Sequence, residues 1–594
     1  MKKVFSFFAV LFLVSSLFSQ QEKFIIGVDW LNPIAGPPAT NFQPLSGNYW
    51  DTAKSLGINY AALNIGEQNY NGVQLIRDEL TKAADRDIKI FLYTYKINWG
   101  TTTGRPRRWM YQTEDNYDFG SHGTGVSVHQ PPVNGMPEPH WSQVNVDEQA
   151  PNFLRLTTGI HPIGYAAEDL INDNEIPDNF HYDVKIRIRK TVSQGSSSVP
   201  VLKVVVINKT NELPQERTIF ANELQQNVWK EVNAFRFYKS EIGPFTEDNI
   251  EEQEVMYDEL GILGVPDFTI VGEVTNTAYE IKVYWYGQVS CDIDYIAIDD
   301  NSSNNLHTGI HDNLIATTVN NFKDHPGLGN IKVADEPEYF NFLPVRYMNE
   351  KVQSYLNGGY EDKHALSFNN GRISQRYLAQ TKMKVHLADV YPIFPSVPEP
   401  GTSNYTNSIQ DQFQDDLVSP FLLPQIDWSN IFSTPYWFTP QAHSWTVPAL
   451  REPSAYEIKA MVNLSVCYGA KGIHYFMFSQ PKVGNNIDGH TLLDDNLNGP
   501  LPRYYDNYGY EKWNILKTLN HKLSNIGNEL LKLKWTNGFS IHQAQPICKY
   551  ITNIESCYLP SSEGMCAIDP TASTYVELGL FKKADESSNP NIEH

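Results

Sequence analysis

Short apolar runs recur along the chain, each followed by a longer stretch in which apolar positions return every three or four residues. The short runs read as buried strands and the longer spacing as one face of a helix. The first pairs are a strand at 24–30 with a helix at 48–56, a strand at 60–65 with a helix at 73–85, and a strand at 88–95. After a long interruption a helix at 313–322 leads to a strand at 330–334 and a helix at 340–355. A strand at 364–368, a helix at 374–383 and a strand at 385–394 follow. An acidic link then precedes a strand at 431–438, a helix at 455–468, a strand at 472–478 and a last helix at 510–533. Alternating strand and helix implies a parallel sheet, and eight strands are the number that closes a (β/α)8 TIM barrel.

The interruption, 104–304, has a different rhythm. Its runs at 183–188, 201–207, 279–286 and 292–298 are β-branched and aromatic, several alternate with period two, and Gly, Pro, Asn and Ser separate them. This predicts a self-contained antiparallel β-sandwich inserted between barrel parts at 22–103 and 305–535. The tail, 536–594, is strand-like as far as 576–581 and then polar, as in the start of a small β domain.

Composition narrows the setting. Lys2 and Lys3 precede an apolar run at 4–18 and small Ser19, the arrangement of a secretory signal peptide at 1–19. The run is shorter than the roughly 20 residues a membrane span needs. The expectation is therefore a secreted, periplasmic or cell-surface protein without a membrane span once the signal is removed. Removal takes two lysines from the 46 basic residues and none of the 68 acids, so the net charge goes from −22 to −24. Such a surface repels phosphate backbones and excludes nucleic acid as a partner. Of the five cysteines, Cys548, Cys557 and Cys566 cluster and can supply one disulfide, whereas Cys291 and Cys467 lie in apolar runs that suit buried thiols. No metal-ligand spacing is present, two adjacent acids at Asp299 and Asp300 are too few for calcium, and no cofactor is indicated. The oligomeric state is left open.

In a barrel of this kind the reactive groups stand at strand C-terminal ends, where the following loops form one mouth. Reading those ends gives Asp29 and Trp30; Asn64 and Glu67; Tyr95 and Trp99; Asp335 and Glu336; Asn369; Asp389 and Tyr391; Trp437, Gln441 and His443. Carboxylates, amides and aromatics with almost no Lys or Arg suit a carbohydrate, whose ring faces stack on aromatics and whose hydroxyls pair with carboxylates and amides. Each residue also has a plainer reading. Asp29 can bind backbone amides, His443 can be a satisfied polar residue, the tryptophans can be core, and Arg451 with Glu457 can be an ion pair or cap on the seventh helix.

The run His325-Pro326-Gly327-Leu328, followed by a strand and Asp335-Glu336-Pro337, resembles the fourth strand of barrel glycoside hydrolases. The block Arg451-Glu452-Pro453 to Glu457, with the run 469–476, is similar to the seventh helix and eighth strand of β-galactosidase-like, clan A-like barrels. The resemblance implies that Glu336 is a general acid/base, with ionised Asp335 raising its pKa in the needed direction. Alternatively, Asp335 caps the helix that begins near Pro337. The chain departs from the family at the seventh strand, where 435–445 contains no acid to act as nucleophile. Asp389 can fill that role or activate a water, as can Glu67 or Asp29; Asp335 can orient a substrate acetamido group, as in hexosaminidases; or the barrel only binds glycan. Within the insertion, 279–286 and 294–300 resemble the closing strands of carbohydrate-binding jelly rolls, the alternative being a scaffold that walls the cleft.

Overall fold

The computed structural model describes residues 23–29, 45, 47–65, 73–94, 108–112, 126–129, 153–156, 166–167, 181–191, 193, 199–208, 214–238, 279–285, 289–334, 337, 341–356, 365–369, 374–445, 449–479, 482–483, 486–487, 489–496, 499–541 and 576–583. Eight strands form a closed barrel: β1 (Ile25–Val28), β2 (Tyr60–Ile65), β3 (Lys89–Thr94), β4 (Leu328–Ala334), β5 (Ala365–Asn369), β6 (His386–Val390), β7 (Tyr436–Pro440) and β8 (Gly472–Tyr475). Neighbours are parallel throughout, and β1 closes the ring by pairing with both β2 and β8. Outside lie α1 (Gly47–Ser55), α2 (Val73–Ala84), α3 (Asp312–Phe322), α4 (Phe342–Leu356), α5 (Ser374–Thr381), α7 (Ala455–Cys467) and α8 (Lys512–Leu531). Between α5 and α7 comes α6, built of Tyr405–Gln412, a π-type segment Phe413–Leu422 and Leu423–Phe432.

Alternation along each strand sorts side chains between two cores. Ile26, Leu63, Ile90, Ile331, Val333, Phe438 and Ile473 face the helices and join the large outer core. Ile25, Tyr60, Ala62, Phe91, Val385, Leu387 and Trp437 meet inside the barrel. Two glycines make room there, because a Cβ on Gly329 would sit 1.8 Å from the Tyr60 hydroxyl oxygen and one on Gly27 2.3 Å from Cδ2 of His474.

The strands expected at 385–394 and 472–478 end early, at Val390 and Tyr475, and the seventh strand shifts at both ends. Residues 431–432 belong to the end of α6, which stops at Ser433 in the left-handed region, so β7 begins at Tyr436. Its last residue is Pro440 and Trp437 is its second. That register puts the Trp437 ring deep in the barrel, 6.0 Å from Tyr60 and 5.9 Å from Phe91. Trp437 is therefore barrel core and not a substrate platform. The acidic link before it is helical because Phe413, Leu417, Val418, Phe421 and Leu422 bury one side against the barrel.

Between β3 and α3 the described segments form two antiparallel sheets. One orders Pro214–Phe220, Pro200–Asn208, Tyr279–Trp285 and Ala166–Ala167; the other contains Lys230–Tyr238, His181–Lys190, Cys291–Asp300, Phe153–Leu156 and Val126–His129, with Arg108–Gln112 paired to Cys291–Asp300. In the second sheet Val184, Ile186 and Ile188 are buried on one face, and Asp183, Lys185 and Arg187 are buried on the other. Asp299 pairs with Lys185, and Asp300 caps the helix Asn301–His307 by accepting from Ser303 N at 2.7 Å. Both acids thus have structural tasks. Cys291 and Cys467 are free thiols, and burial pushes Cys467 up to about 12. After α8 the strand Leu533–Ile541 pairs antiparallel with Val576–Lys583, and this pair packs at the end of α7, where Tyr468 donates to Glu577. No helix among the described residues is long and apolar enough to cross a membrane.

Candidate active site

The C-terminal ends of the eight parallel strands, with the N-termini of the helices that follow, define one mouth. Asp29 directly follows β1, in step with interior positions Ile25 and Gly27, and is 4% exposed. Its amide donates to Tyr475 O at 2.9 Å and its carbonyl accepts from Phe478 N at 3.0 Å, so the backbone of β8 and of the residues just past it fixes Asp29. Asp389 lies two residues past interior Leu387 on β6 and is also buried. Two carboxylates therefore reach the mouth from the first and sixth strands. Tyr391, the next residue in that inward series, is half-buried.

The loops after β6, β7 and β8 meet in an aromatic cluster. The His443 ring lies 4.9 Å from Tyr391, 5.5 Å from Trp445 and 4.9 Å from Phe476, edge to face in each case. Tyr391 and Trp445 also approach Phe476, at 5.5 and 6.1 Å. His443 Nδ1 is 2.9 Å from the Phe476 carbonyl, which can only accept, so Nδ1 carries the proton and Nε2 the lone pair. Burial, against the pull of that carbonyl and with help from the Lys512 charge, lowers its pKa to about 4. His443 has no exposed surface. It supports the cluster from behind instead of touching a substrate directly.

Gln441 is also enclosed. Its Oε1 accepts from Ile393 N at 2.9 Å, and its Nε2 is shared among the carbonyls of Ile393, His443 and Arg451 at 3.2, 3.2 and 3.0 Å. Every group on the amide faces backbone, so Gln441 ties the loops after β6 and β7 together and is not a substrate contact. Beneath it, Arg503 clasps both oxygens of Glu452 at 2.9 Å while Lys512 donates to Oε1 at 2.9 Å. Burial alone would raise the Glu452 carboxyl, but these two cations outweigh it and hold it at about 2. Arg451 pairs with Glu457, whose carboxylate completes a capping box with Ser454 at the start of α7.

Two contributors escaped the sequence reading. Phe476 completes the aromatic cluster, and its only signal was the inward alternation from Gly472 and His474. Lys332 is buried in β4, between outward Ile331 and Val333, and its charge adds to burial in lowering His474 to about 3. A lysine at an inward position of a fully buried strand was that signal.

Asn64 and Asn369 occupy the C-terminal halves of β2 and β5, opposite Tyr93 and Ala388. Asp335 and Glu336 follow the last residue of β4, and they, with Trp30, Glu67, Tyr95 and Trp99, lie outside the described residues. Among the described residues no three His, Cys, Asp or Glu side chains gather to hold a metal.

No family model and no curated protein matches the sequence. Solved structures to which the chain is similar are glycoside hydrolases. The β-galactosidase of Marinomonas ef1 shares 8% identity over 86% of this chain and 62% of that chain, with a TM-score of 0.36. A glycoside hydrolase family 5 mannosidase of Rhizomucor miehei shares 13% over 37% of this chain and 59% of that one, TM-score 0.26. A GH26-CBM35 β-(1,4)-mannanase of Podospora anserina shares 11% over 62% and 75%, TM-score 0.17. This chain thus spans about three fifths of the length of the first two.

Proposed function

We propose that the chain is an exported glycoside hydrolase that acts on a poly- or oligosaccharide at the barrel mouth, without a cofactor. The observation that carries the reading is the convergence of Asp29 and Asp389, both buried and inward, with the aromatic cluster of Tyr391, Trp445 and Phe476 on one end of a closed parallel barrel. Asp335 and Glu336 follow β4 directly in the chain. Glu336 is the general acid that protonates the glycosidic oxygen, and Asp389 the second carboxylate, acting as nucleophile or as base for water. A carboxyl separation of roughly 5 to 5.5 Å would make the reaction retaining, and roughly 6.5 to 9.5 Å inverting. The inserted sheets follow β3, so they leave the barrel at its mouth and serve as a wall of the cleft or a second glycan-binding surface.

One observation favours a second reading, a catalytically silent glycan-binding barrel. The end of β7 carries no acid, and Gln441 there is held by backbone. Screening wild type and Glu336→Gln against a panel of glycans separates the two readings. The hydrolase reading expects turnover to fall by about 10²-fold or more in the variant while binding persists. Equal behaviour of both proteins, with binding and no products, would leave only the silent barrel.

A further inference from the structure

The loop from β8 to α8 ends in Tyr504-Tyr505-Asp506-Asn507-Tyr508-Gly509-Tyr510, with four tyrosines in seven residues, and the barrel chemistry uses none of them. Tyr504 and Tyr505 are 55% and 57% exposed, and Tyr456 on the first turn of α7 is 52% exposed. Tyr456 meets Tyr510 edge to face at 5.1 Å. This loop is pinned from beneath. Asp506, itself buried, accepts from the amides of Tyr508 and Tyr510 at 3.0 and 2.9 Å through Oδ1, and from Ala455 N at 2.8 Å through Oδ2. Arg503, clasped by Glu452, also donates to Asn507 Oδ1 at 2.8 Å. The rings are therefore presented by a backbone that loses little further entropy when something stacks on them.

The patch is bonded to the loop that follows β6. Arg451 N donates to Ile393 O at 3.1 Å, and the Arg451 guanidinium lies 5.6 Å from the centre of the Tyr508 ring and donates to its hydroxyl at 2.9 Å. Phe394, next to Ile393, is 40% exposed and stands three residues beyond Tyr391 of the aromatic cluster. Arg451 thus ties the loop that follows β6 to the tyrosine loop ahead of α8.

We infer that these rings form a track that carries an extended, neutral polysaccharide chain away from the barrel mouth. The inference rests on the reading of that mouth as a glycan site. Flat rings bearing hydroxyl groups match the alternating apolar faces and hydroxyl edges of sugars. The cations at hand, Arg451 and Arg503, are paired with Glu457 and Glu452, so a uronic or sulfated chain finds no charge to hold it, and the net charge of −22 repels it further.

The test uses the full chain carrying Glu336→Gln, with and without Tyr504→Ala/Tyr505→Ala. Affinity electrophoresis in gels of β-galactan, β-mannan and β-glucan reads polymer binding, and calorimetry with the matching disaccharide reads the mouth alone. The track expects the alanine pair to weaken polymer binding at least tenfold while the disaccharide affinity moves less than twofold, and Tyr504→Phe/Tyr505→Phe to restore most of the loss. Polymer binding unaffected by the alanine pair, with the disaccharide still bound, would overturn the track and leave the barrel reading standing. Absence of any binding, together with no cleavage by wild type, would overturn both. If sedimentation velocity shows that the alanine pair abolishes self-association instead, the patch belongs to a second copy of the chain and the track is wrong.

Discussion

Gln441 stands past the end of β7, where a nucleophilic acid was sought, and its amide is turned into the backbone of two loops. Gln441→Ala would leave buried groups of Ile393, His443 and Arg451 short of partners and is expected to cost about 3 kcal/mol, read as a fall in unfolding free energy in urea. Gln441→Glu should be no better, because a carboxylate has no N–H to offer three carbonyls and is buried among them. A Gln441→Glu protein of wild-type stability that gained activity would mean that this side chain reaches substrate after all. Residue type alone could not settle its direction, since amides serve sugars and backbone equally well. Trp437 was misplaced for a different reason. A seventh strand expected to end at 438 puts that ring at the rim, whereas the strand ends at Pro440 and the ring drops one layer into the core. The inward positions of Asp29, Asp389 and Tyr391 follow from alternation, which runs from interior Ile25 and Leu387 to the strand ends.

Most of the barrel elements could be read from the chain because each strand is a compact apolar run and each helix has one apolar face. The sixth helix could not, since Pro420 and Pro424 lie within it and argue against any helix by propensity. The first sits in the π-type segment and the second in the opening turn of the closing segment, and burial of Phe421, Leu422 and Ile426 holds the run together. The seventh helix is the opposite case, with its start written in Ser454 and Glu457 three residues apart. Ser454 Oγ accepts from Glu457 N at 3.2 Å and Glu457 Oε2 accepts from Ser454 N at 2.6 Å, while the same carboxylate holds Arg451. Ser454→Ala removes one arm of this box and should cost about 1 kcal/mol. Chemical denaturation of that variant, compared with Ser454→Asp, checks the assignment. Asp can still accept from the amide and should recover part of the loss, and an alanine variant as stable as wild type would contradict the cap.

At the scale of the whole molecule, three buried histidines act together on its response to acid. His386 on β6 is lowered to about 4 by burial, against a bond to Gln425; His443 is held at about 4, and burial with Lys332 takes His474 to about 3. In the unfolded chain each titrates near 6.5. Between those limits the unfolded state binds more protons than the folded one, so stability rises with pH; it is fully present above about 6.5 and is lost as pH falls toward 4. With three groups in play near pH 5 the slope approaches about 4 kcal/mol per pH unit, from roughly 1.4 for each proton. Glu452 adds to the loss lower down, because its depressed carboxyl contributes stability above about 4.5 that fades as pH falls toward 2. Against a total stability of about 5 to 15 kcal/mol that loss is a large fraction of what keeps the barrel folded. Urea midpoints measured from pH 7 to 5 should therefore fall steeply, and His443→Phe, which keeps a ring in the aromatic cluster, should remove about a third of the slope. Midpoints that stay level over that range would mean that these rings gain protons without opening the fold, and the buried, neutral His443 behind the mouth would have to be abandoned.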